Sequence, residues 1–162
     1  QGHAVAQYNL GLMYAIGQGV PQDYKQAAAW YRKAADQGDA AAQSSLGDMY
    51  WGGEGVPQDY RQAVAWFRKA ADQEWAAAQL ILGLMYENGE GVPKSKIVAY
   101  ALYNLSATND PSRYNTAIEY REGIIKEMTP QEIQAAQDLT RELSKPGNFG
   151  SALDSAPRGL KK

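Results

Sequence analysis

The sequence predicts an all-α solenoid made of three two-helix repeats and closed by C-terminal capping helices. Two observations predict this fold class. The chain repeats itself without gaps at an interval of 36 residues, as Gln7, Gln43 and Gln79 show. Within each copy, apolar residues recur at helical spacing. A single two-helix unit cannot bury its apolar face alone, so consecutive copies are expected to stack.

The repeat register covers three copies, at about residues 2–37, 38–73 and 74–109. Several residue types recur at fixed positions of every copy: Leu10, Leu46 and Leu82; Gly11, Gly47 and Gly83; Met13, Met49 and Met85; Tyr14, Tyr50 and Tyr86. Each copy also contains a G-x-G-V-P segment, which ends with Pro21 in the first. Identities at so many matched positions are not expected by chance.

The first helix of each copy is predicted from an apolar stripe at i, i+3 and i+4, which is Leu10, Met13 and Tyr14 in copy one. Gly11 lies beside that stripe, although glycine costs a helix about 1 kcal/mol relative to alanine. Its regular return predicts a close approach of the partner helix. The G-x-G-V-P segment then ends the helix, because glycine tolerates positive φ and proline cannot continue a helix.

The second helix is predicted to begin after an N-cap, Asp23 or Asp59, with a glutamine at capping-box spacing. Its inner stripe contains the aromatic pairs Trp30/Tyr31 and Trp66/Phe67. We assign these rings to the core between helices and not to an aromatic cage, because alanines follow one turn later. In the third copy Ser95 and Leu102 replace the Asp and the Trp. Glu74 replaces the inter-repeat glycine, so we expect that turn to differ.

The remaining chain departs from the repeat and predicts a terminal cap. One helix is expected from about Arg113 to Lys126, and a second follows Thr129-Pro130 and runs to about Leu143. Together these cap helices occupy about residues 112–143, as required where a solenoid covers its last open face. Residues 144–162 are rich in Ser, Gly and Pro and are predicted to form a flexible tail.

The repeated residues resemble the Sel-one-like repeat (SLR) family, which is related to the tetratricopeptide repeat. The resemblance rests on A-x-A-Q-x-x-L-G-x-M-Y-x-x-G-x-G-V-x-x-D followed by A-x-x-W-Y-x-x-A-A, over about residues 2–107. The segment Met128–Gln137 also resembles a terminal helix of bacterial members. The resemblance implies a right-handed α/α superhelix whose concave face serves as an adaptor for protein partners. It also slightly favours a periplasmic or secreted location over the cytoplasm.

Composition and motifs argue against catalysis and nucleic-acid binding. The formal net charge is -2, which gives no basic surface for nucleic acid, and no apolar run is long enough to insert into a membrane. The chain has no cysteine, and His3 is the only histidine, which we assign to a solvated chain end. No S-x-x-K, S-D-N or K-T-G motif is present. We therefore expect no enzyme activity, no metal and no cofactor.

The candidate binding residues are first-helix positions that vary while the repeat frame stays fixed. By analogy with tetratricopeptide repeats they are expected to face the concave side, where they would suit a peptide or protein partner. The set is Tyr8, Leu12, Ser44, Asp48, Trp51, Leu80, Leu84 and Glu87, with Ala15 in the same register and Asn9, Ser45 and Ile81 beside it. Trp51 is the strongest single candidate. The alternative is that several of these residues pack against a neighbouring helix or against a further repeat upstream.

Three functions remain open at this point. The favoured function is an interaction scaffold, either monomeric or weakly self-associating through its N-terminal end. A second possibility is a capped segment of a longer structural scaffold, since the chain enters a repeat almost at Gln1. A cell-envelope hydrolase is the third, and it lacks the motifs that would support it.

Overall fold

The computed structural model describes residues 2–110, 114–157 and 159. In this part of the chain every regular element is an α-helix. The helices are α1 (Gly2–Ile16), α2 (Tyr24–Asp36), α3 (Ala40–Gly52), α4 (Tyr60–Asp72), α5 (Ala76–Asn88), α6 (Lys96–Asn109), α7 (Tyr114–Ile125), α8 (Pro130–Leu143) and α9 (Phe149–Ser155). The chain forms two compact units, Gln1–Ala70 and Ala71–Lys162. The predicted all-α helical-repeat solenoid is confirmed.

The caps that the sequence predicts lie at the helix ends. Asp23 Oδ1 accepts hydrogen bonds from the backbone N–H groups of Lys25 and Gln26, at 2.9 and 3.1 Å. Ser95 has the same role in the third copy and accepts from Val98 N–H at 3.3 Å. A serine hydroxyl satisfies a free helix N–H as an aspartate does, so the substitution leaves α6 capped. At the other end of α3, Gly53 adopts a left-handed φ of 75°.

The glycine of each first helix lies against an aromatic ring of the following second helix. A Cβ atom added to Gly11 would lie 2.6 Å from the Tyr31 ring, and one added to Gly83 would lie 2.6 Å from the Tyr103 ring. At Gly47 the distance to Phe67 would be 2.9 Å. These separations are far below ordinary van der Waals contact, so the predicted close approach of the helices is confirmed.

The aromatic pairs divide between the core and the surface. Tyr31, Trp66 and Phe67 are buried, as predicted. Trp30 is only half-buried, and Lys33 Nζ lies 3.9 Å from the centroid of its ring. The Arg32 guanidinium carbon lies 5.3 Å from the Trp66 ring centroid. The indole rings therefore combine packing with cation–π contacts.

Successive copies are joined by a turn that is the same in both units. Gly38 has φ 91° and donates its N–H to Ala35 O at 3.0 Å, and Glu74 has φ 62° and donates to Ala71 O at 3.0 Å. Glu74 thus keeps the left-handed conformation despite its side chain, contrary to the expected difference. The repeated glutamine has a matching role, because Gln79 Nε2 donates to Ala71 O at 3.1 Å. Gln43 Nε2 donates to Ala35 O at 3.2 Å in the same way, so this contact explains the glutamine of copies two and three.

The C-terminal segment contains the two expected cap helices and one helix that was not expected. Thr129 and Glu132 form a complete capping box at the start of α8. The flexible tail predicted for residues 144–162 is wrong over 149–155, where α9 buries Phe149, Ala152 and Leu153. These residues lie at i, i+3 and i+4, so a single helical turn buries all three. The surrounding serines and glycines are typical of a loop, and they outweighed this short apolar pattern in the prediction.

Candidate interaction surface

Two of the eight predicted binding residues are buried. Ser44 and Leu80 are repeat equivalents, and both lie in the interior of the protein. The equivalent position in α1 is Tyr8, which is half-buried with its ring centroid 5.6 Å from that of Tyr31. This position is therefore buried in copies two and three and half-buried in copy one, and the packing alternative holds for Ser44 and Leu80. Their assignment to an accessible binding face is corrected accordingly.

In the first unit, the other predicted residues remain at the surface. Leu12 is 38% exposed and Asp48 is exposed, whereas Tyr8 and Trp51 are half-buried. Tyr8 and Leu12 are four residues apart on α1, and Asp48 and Trp51 are three residues apart on α3, so each pair lies on one helix face. We call Tyr8, Leu12, Asp48 and Trp51 the α1–α3 surface.

A cavity of about 170 Å³ lies in the first unit, next to Asp48. Its walls combine apolar, hydroxyl and carboxylate groups. The lining residues are Ala15, Tyr24, Tyr31, Ser45, Asp48, Met49 and Glu54. Three of the variable first-helix positions, Ala15, Ser45 and Asp48, thus meet in one place. Tyr24 and Glu54 come from segments that no repeat-based argument selects.

Tyr31 is one of the residues that line this cavity. Its ring lies against Gly11, and the hydroxyl hydrogen-bonds the Ser45 side chain. Burial raises the pKa of Tyr31 to about 12, with smaller contributions in the same direction from Tyr8 and from the Asp48 carboxylate. The phenol is therefore neutral at physiological pH, and it lies within the field of a negative charge.

In the second unit, the Glu87 side chain takes part in a hydrogen bond between helices. Its Oε2 atom accepts a hydrogen bond of 2.5 Å from the buried Tyr103 hydroxyl. Burial raises the pKa of Tyr103, and this hydrogen bond and the Glu87 charge raise it further. Leu84, three residues earlier, is partly exposed. Both residues are accessible candidates, and Glu87 also stabilises the packing of α5 on α6.

A second, larger cavity of about 460 Å³ lies between α8 and α9. Small and apolar residues such as Leu139 and Ala152 form its floor. Asp138 and Glu142 lie at its edge, where Asp138 pairs with Arg141 and Glu142 pairs with Lys145 at 2.6 Å. The sequence offered no sign of this cavity, because one of its walls is the unexpected helix α9.

Within residues 2–110, 114–157 and 159, no group of three His, Cys, Asp or Glu side chains is arranged to hold a metal ion. Over the same residues, no helix is both long enough and apolar enough to cross a membrane. His3 lies in α1 with an exposed side chain.

The stacked helix pairs, with their glycine–aromatic contacts and recurring caps, define a helical-repeat protein of the solenoid class. The chain belongs to the Sel1 repeat family, which matches residues 4–39, 40–74 and 76–111. These spans begin about two residues later than the predicted copies. Sel1 repeat proteins are generally protein-interaction scaffolds and are typically non-catalytic.

Solved structures with the same fold include two bacterial proteins. The chain is 35% identical to c5321, a protective antigen of uropathogenic Escherichia coli strains with an SLR fold, with a TM-score of 0.82. That match covers 100% of this chain and 35% of the antigen, so the chain spans about a third of its length. A Sel1 repeat protein from Oxalobacter formigenes is 36% identical, with a TM-score of 0.64, over 67% of this chain and 83% of that one. No curated protein matches in sequence.

Proposed function

We propose that this chain is a non-catalytic scaffold that binds a partner protein or peptide through the α1–α3 surface. The supporting observation is that Leu12 and Trp51 keep apolar area at the surface although the repeat frame requires neither. Ala15 and Leu12 differ in type from their equivalents Trp51 and Asp48, so these positions vary freely between copies. In the second unit, Leu84 and Glu87 are the further candidate contacts.

Trp51 is the residue expected to contribute most to binding. Tryptophan is enriched among the few interface residues that dominate affinity, because its large ring buries much apolar area and loses little side-chain entropy. Asp48 lies one helical turn before it on α3. A charged group beside an aromatic group suits a partner segment that carries both apolar and polar side chains.

The test uses peptides selected by display against the intact chain, followed by affinity measurements on variants. We expect Trp51→Ala to weaken the selected peptides by about 30-fold, the equivalent of losing a hot-spot residue worth about 2 kcal/mol. Trp75→Ala is the matched control, because Trp75 is 40% exposed and lies at the start of α5. Equal affinity of wild type and Trp51→Ala, or a comparable loss in the control, would contradict the proposal.

A second candidate function is self-association through the exposed apolar side chains of α1. Met13 is 36% exposed, whereas its repeat equivalents Met49 and Met85 are 4% and 0% exposed. Val5 and Ile16 on the same helix are also exposed. An apolar patch of this kind favours contact with a second copy of the chain. Sedimentation equilibrium of Met13→Glu against wild type tests it: a concentration-dependent dimer should disappear, and a wild type that stays monomeric excludes the contact.

A further inference from the structure

Helix α1 has a stripe of apolar residues at the surface whose repeat equivalents are buried. Met13 and Ala6 are exposed and Leu10 is half-buried. Their equivalents in the later copies are all buried: Met49, Met85, Ala42, Ala78, Leu46 and Leu82. Ala6, Leu10 and Met13 are spaced at i, i+4 and i+7, so they lie on one face of the helix. We call these three residues the α1 stripe.

In the second copy, the equivalent stripe of α3 is covered by α2. Ala42, Leu46 and Met49 belong to one buried cluster with Ala28 and Ala35 of α2. Alanine side chains at a contact let two helices approach closely, and a longer side chain would hold them apart. The second copy therefore shows which kind of helix fits this stripe: one that presents small side chains to it.

Polar contacts fix the position of α2 on α3. Gln43 Nε2 donates a hydrogen bond to Ala35 O at 3.2 Å, in the last turn of α2. Arg32 Nη2 donates to the Tyr50 hydroxyl, and the Arg32 guanidinium carbon lies 5.7 Å from the centroid of the Tyr50 ring. Ala28, Arg32 and Ala35 are spaced at i, i+4 and i+7, so a single face of α2 makes the apolar and the polar contacts.

Helix α1 carries the same polar groups beside its stripe. Gln7 and Tyr14 are the repeat equivalents of Gln43 and Tyr50, and both are half-buried. Gln7 Oε1 accepts a hydrogen bond from Gln37 Nε2 at 2.6 Å. That contact uses the oxygen of the Gln7 amide, whereas the contact of Gln43 with α2 uses the amide nitrogen. Helix α1 thus keeps both the apolar and the polar groups with which α3 binds α2.

We propose that the α1 stripe binds an amphipathic helix of the α2 type, supplied by a partner protein. The partner helix places small side chains on Leu10 and Met13, stacks an arginine on the Tyr14 ring and offers a last-turn carbonyl to Gln7 Nε2. A helix in a groove is read in this way, by side chains at i, i+4 and i+7. The site is distinct from the α1–α3 surface and does not rest on the function proposed for it.

The test titrates the intact chain, labelled with carbon-13 at its methionine methyl groups, with a peptide of residues 22–38 that contains α2 and its N-cap Asp23. A peptide of this length is only marginally helical in water. Ala29→Glu, joined to Lys33 by a lactam bridge, therefore holds the helix through positions that are exposed in α2. We expect a saturable shift of the Met13 methyl signal and no shift at the buried Met49 and Met85.

A second bridged peptide is the control for the helix face. It carries Ala28→Gln and Ala35→Gln, which lengthen the side chains that would meet the α1 stripe and keep the charge of the peptide. It should bind at least about fivefold more weakly, because close approach of the helices is lost. Equal affinity of the two peptides, or no Met13 shift with the first, would overturn the inference.

A pair of chain variants locates the contact on α1. Met13→Gln should weaken the bridged α2 peptide about fivefold, because it removes apolar contact area. Ile16→Gln is the matched control: Ile16 is exposed on the same helix, and its repeat equivalents Gly52 and Asn88 are exposed as well. Its affinity should equal that of wild type, with binding followed by backbone amide shifts of α1. Unaltered affinity in Met13→Gln would contradict the assignment.

A second copy of this chain is the competing occupant of the α1 stripe. A Met13 signal that shifts when the chain alone is concentrated, and does not change further when the peptide is added, would assign the stripe to a second copy and overturn the inference. The function proposed for the α1–α3 surface fails separately. Trp51→Ala should leave the affinity for the α2 peptide unchanged, whatever its effect on the display-selected peptides.

Discussion

At the scale of single residues, Glu74 adopts a backbone conformation that is unfavourable for a residue with a side chain, because the turn between repeats requires it. It occupies the left-handed turn between copies with φ 62°, where the previous copy has Gly38. Its N–H nevertheless makes the same hydrogen bond to the preceding helix. A left-handed conformation costs a residue with a side chain about 1–2 kcal/mol, so the frame overrides the preference of glutamate.

Replacing Glu74 with glycine is therefore expected to stabilise the protein. The gain should be about 1 kcal/mol, because the removal of left-handed strain exceeds the added entropy of the unfolded chain. Urea unfolding of Glu74→Gly measures this free energy. Gly38→Ala is the converse control and should destabilise by a similar amount. A Glu74→Gly variant that is less stable than wild type would contradict the strain assigned to this turn.

The raised pKa of Tyr31 predicts that the folded protein loses stability at alkaline pH. Its pKa is about 12 in the folded protein and 10.0 in the unfolded chain. Between these two pH values the folded state retains a proton that the unfolded state releases. The contribution of the neutral Tyr31 phenol to the free energy of unfolding is therefore fully present below pH 10 and is lost as pH rises to about 12. Tyr31→Phe should make the unfolding free energy fall less steeply over that interval. Identical slopes for variant and wild type would exclude the assignment.

At the scale of secondary structure, the repeat is held by a ring from one helix lying on a glycine of its neighbour. Gly47→Ala should destabilise the protein by about 1–3 kcal/mol, because the methyl group would overlap the buried Phe67 ring. Gly123→Ala is the matched control: Gly123 lies in α7 with open space around it, so alanine should be neutral or stabilising there. Thermal unfolding compares the two. Equal effects of the two substitutions on stability would show that helix propensity, and not contact with the Phe67 ring, determines the effect at Gly47.

The helices that the sequence revealed are those with a repeated or a strong local signal. Gly11 predicted a close helix contact because its return in three copies separates a packing requirement from chance. Helix α9 has a single turn of apolar residues within a Ser- and Gly-rich segment, so composition outweighed periodicity. Ser44 and Leu80 were misplaced for a related reason. Adjacent helical positions differ by about 100° around the axis, and analogy alone could not say which of them faces inward.

At the scale of the whole molecule, the residues that we propose for partner binding lie mainly in the first unit. The α1–α3 surface belongs to this unit, as does the cavity that Asp48 and Glu54 help to line. In the second unit, Glu87 accepts a hydrogen bond from Tyr103, and α9 packs against α8. The family relationship makes an interaction scaffold the general class, and the α1–α3 surface is the part that we propose for the partner.

Hydrogen exchange of the intact chain, with and without a display-selected peptide, tests the central claim most directly. Binding should slow exchange in amides of α1 and α3, since contacts at Leu12, Asp48 and Trp51 stabilise those helices against local opening. Exchange in α7, which lies in the other unit, should be unchanged. Protection confined to the helices α7, α8 and α9, with none in α1 or α3, would contradict the account.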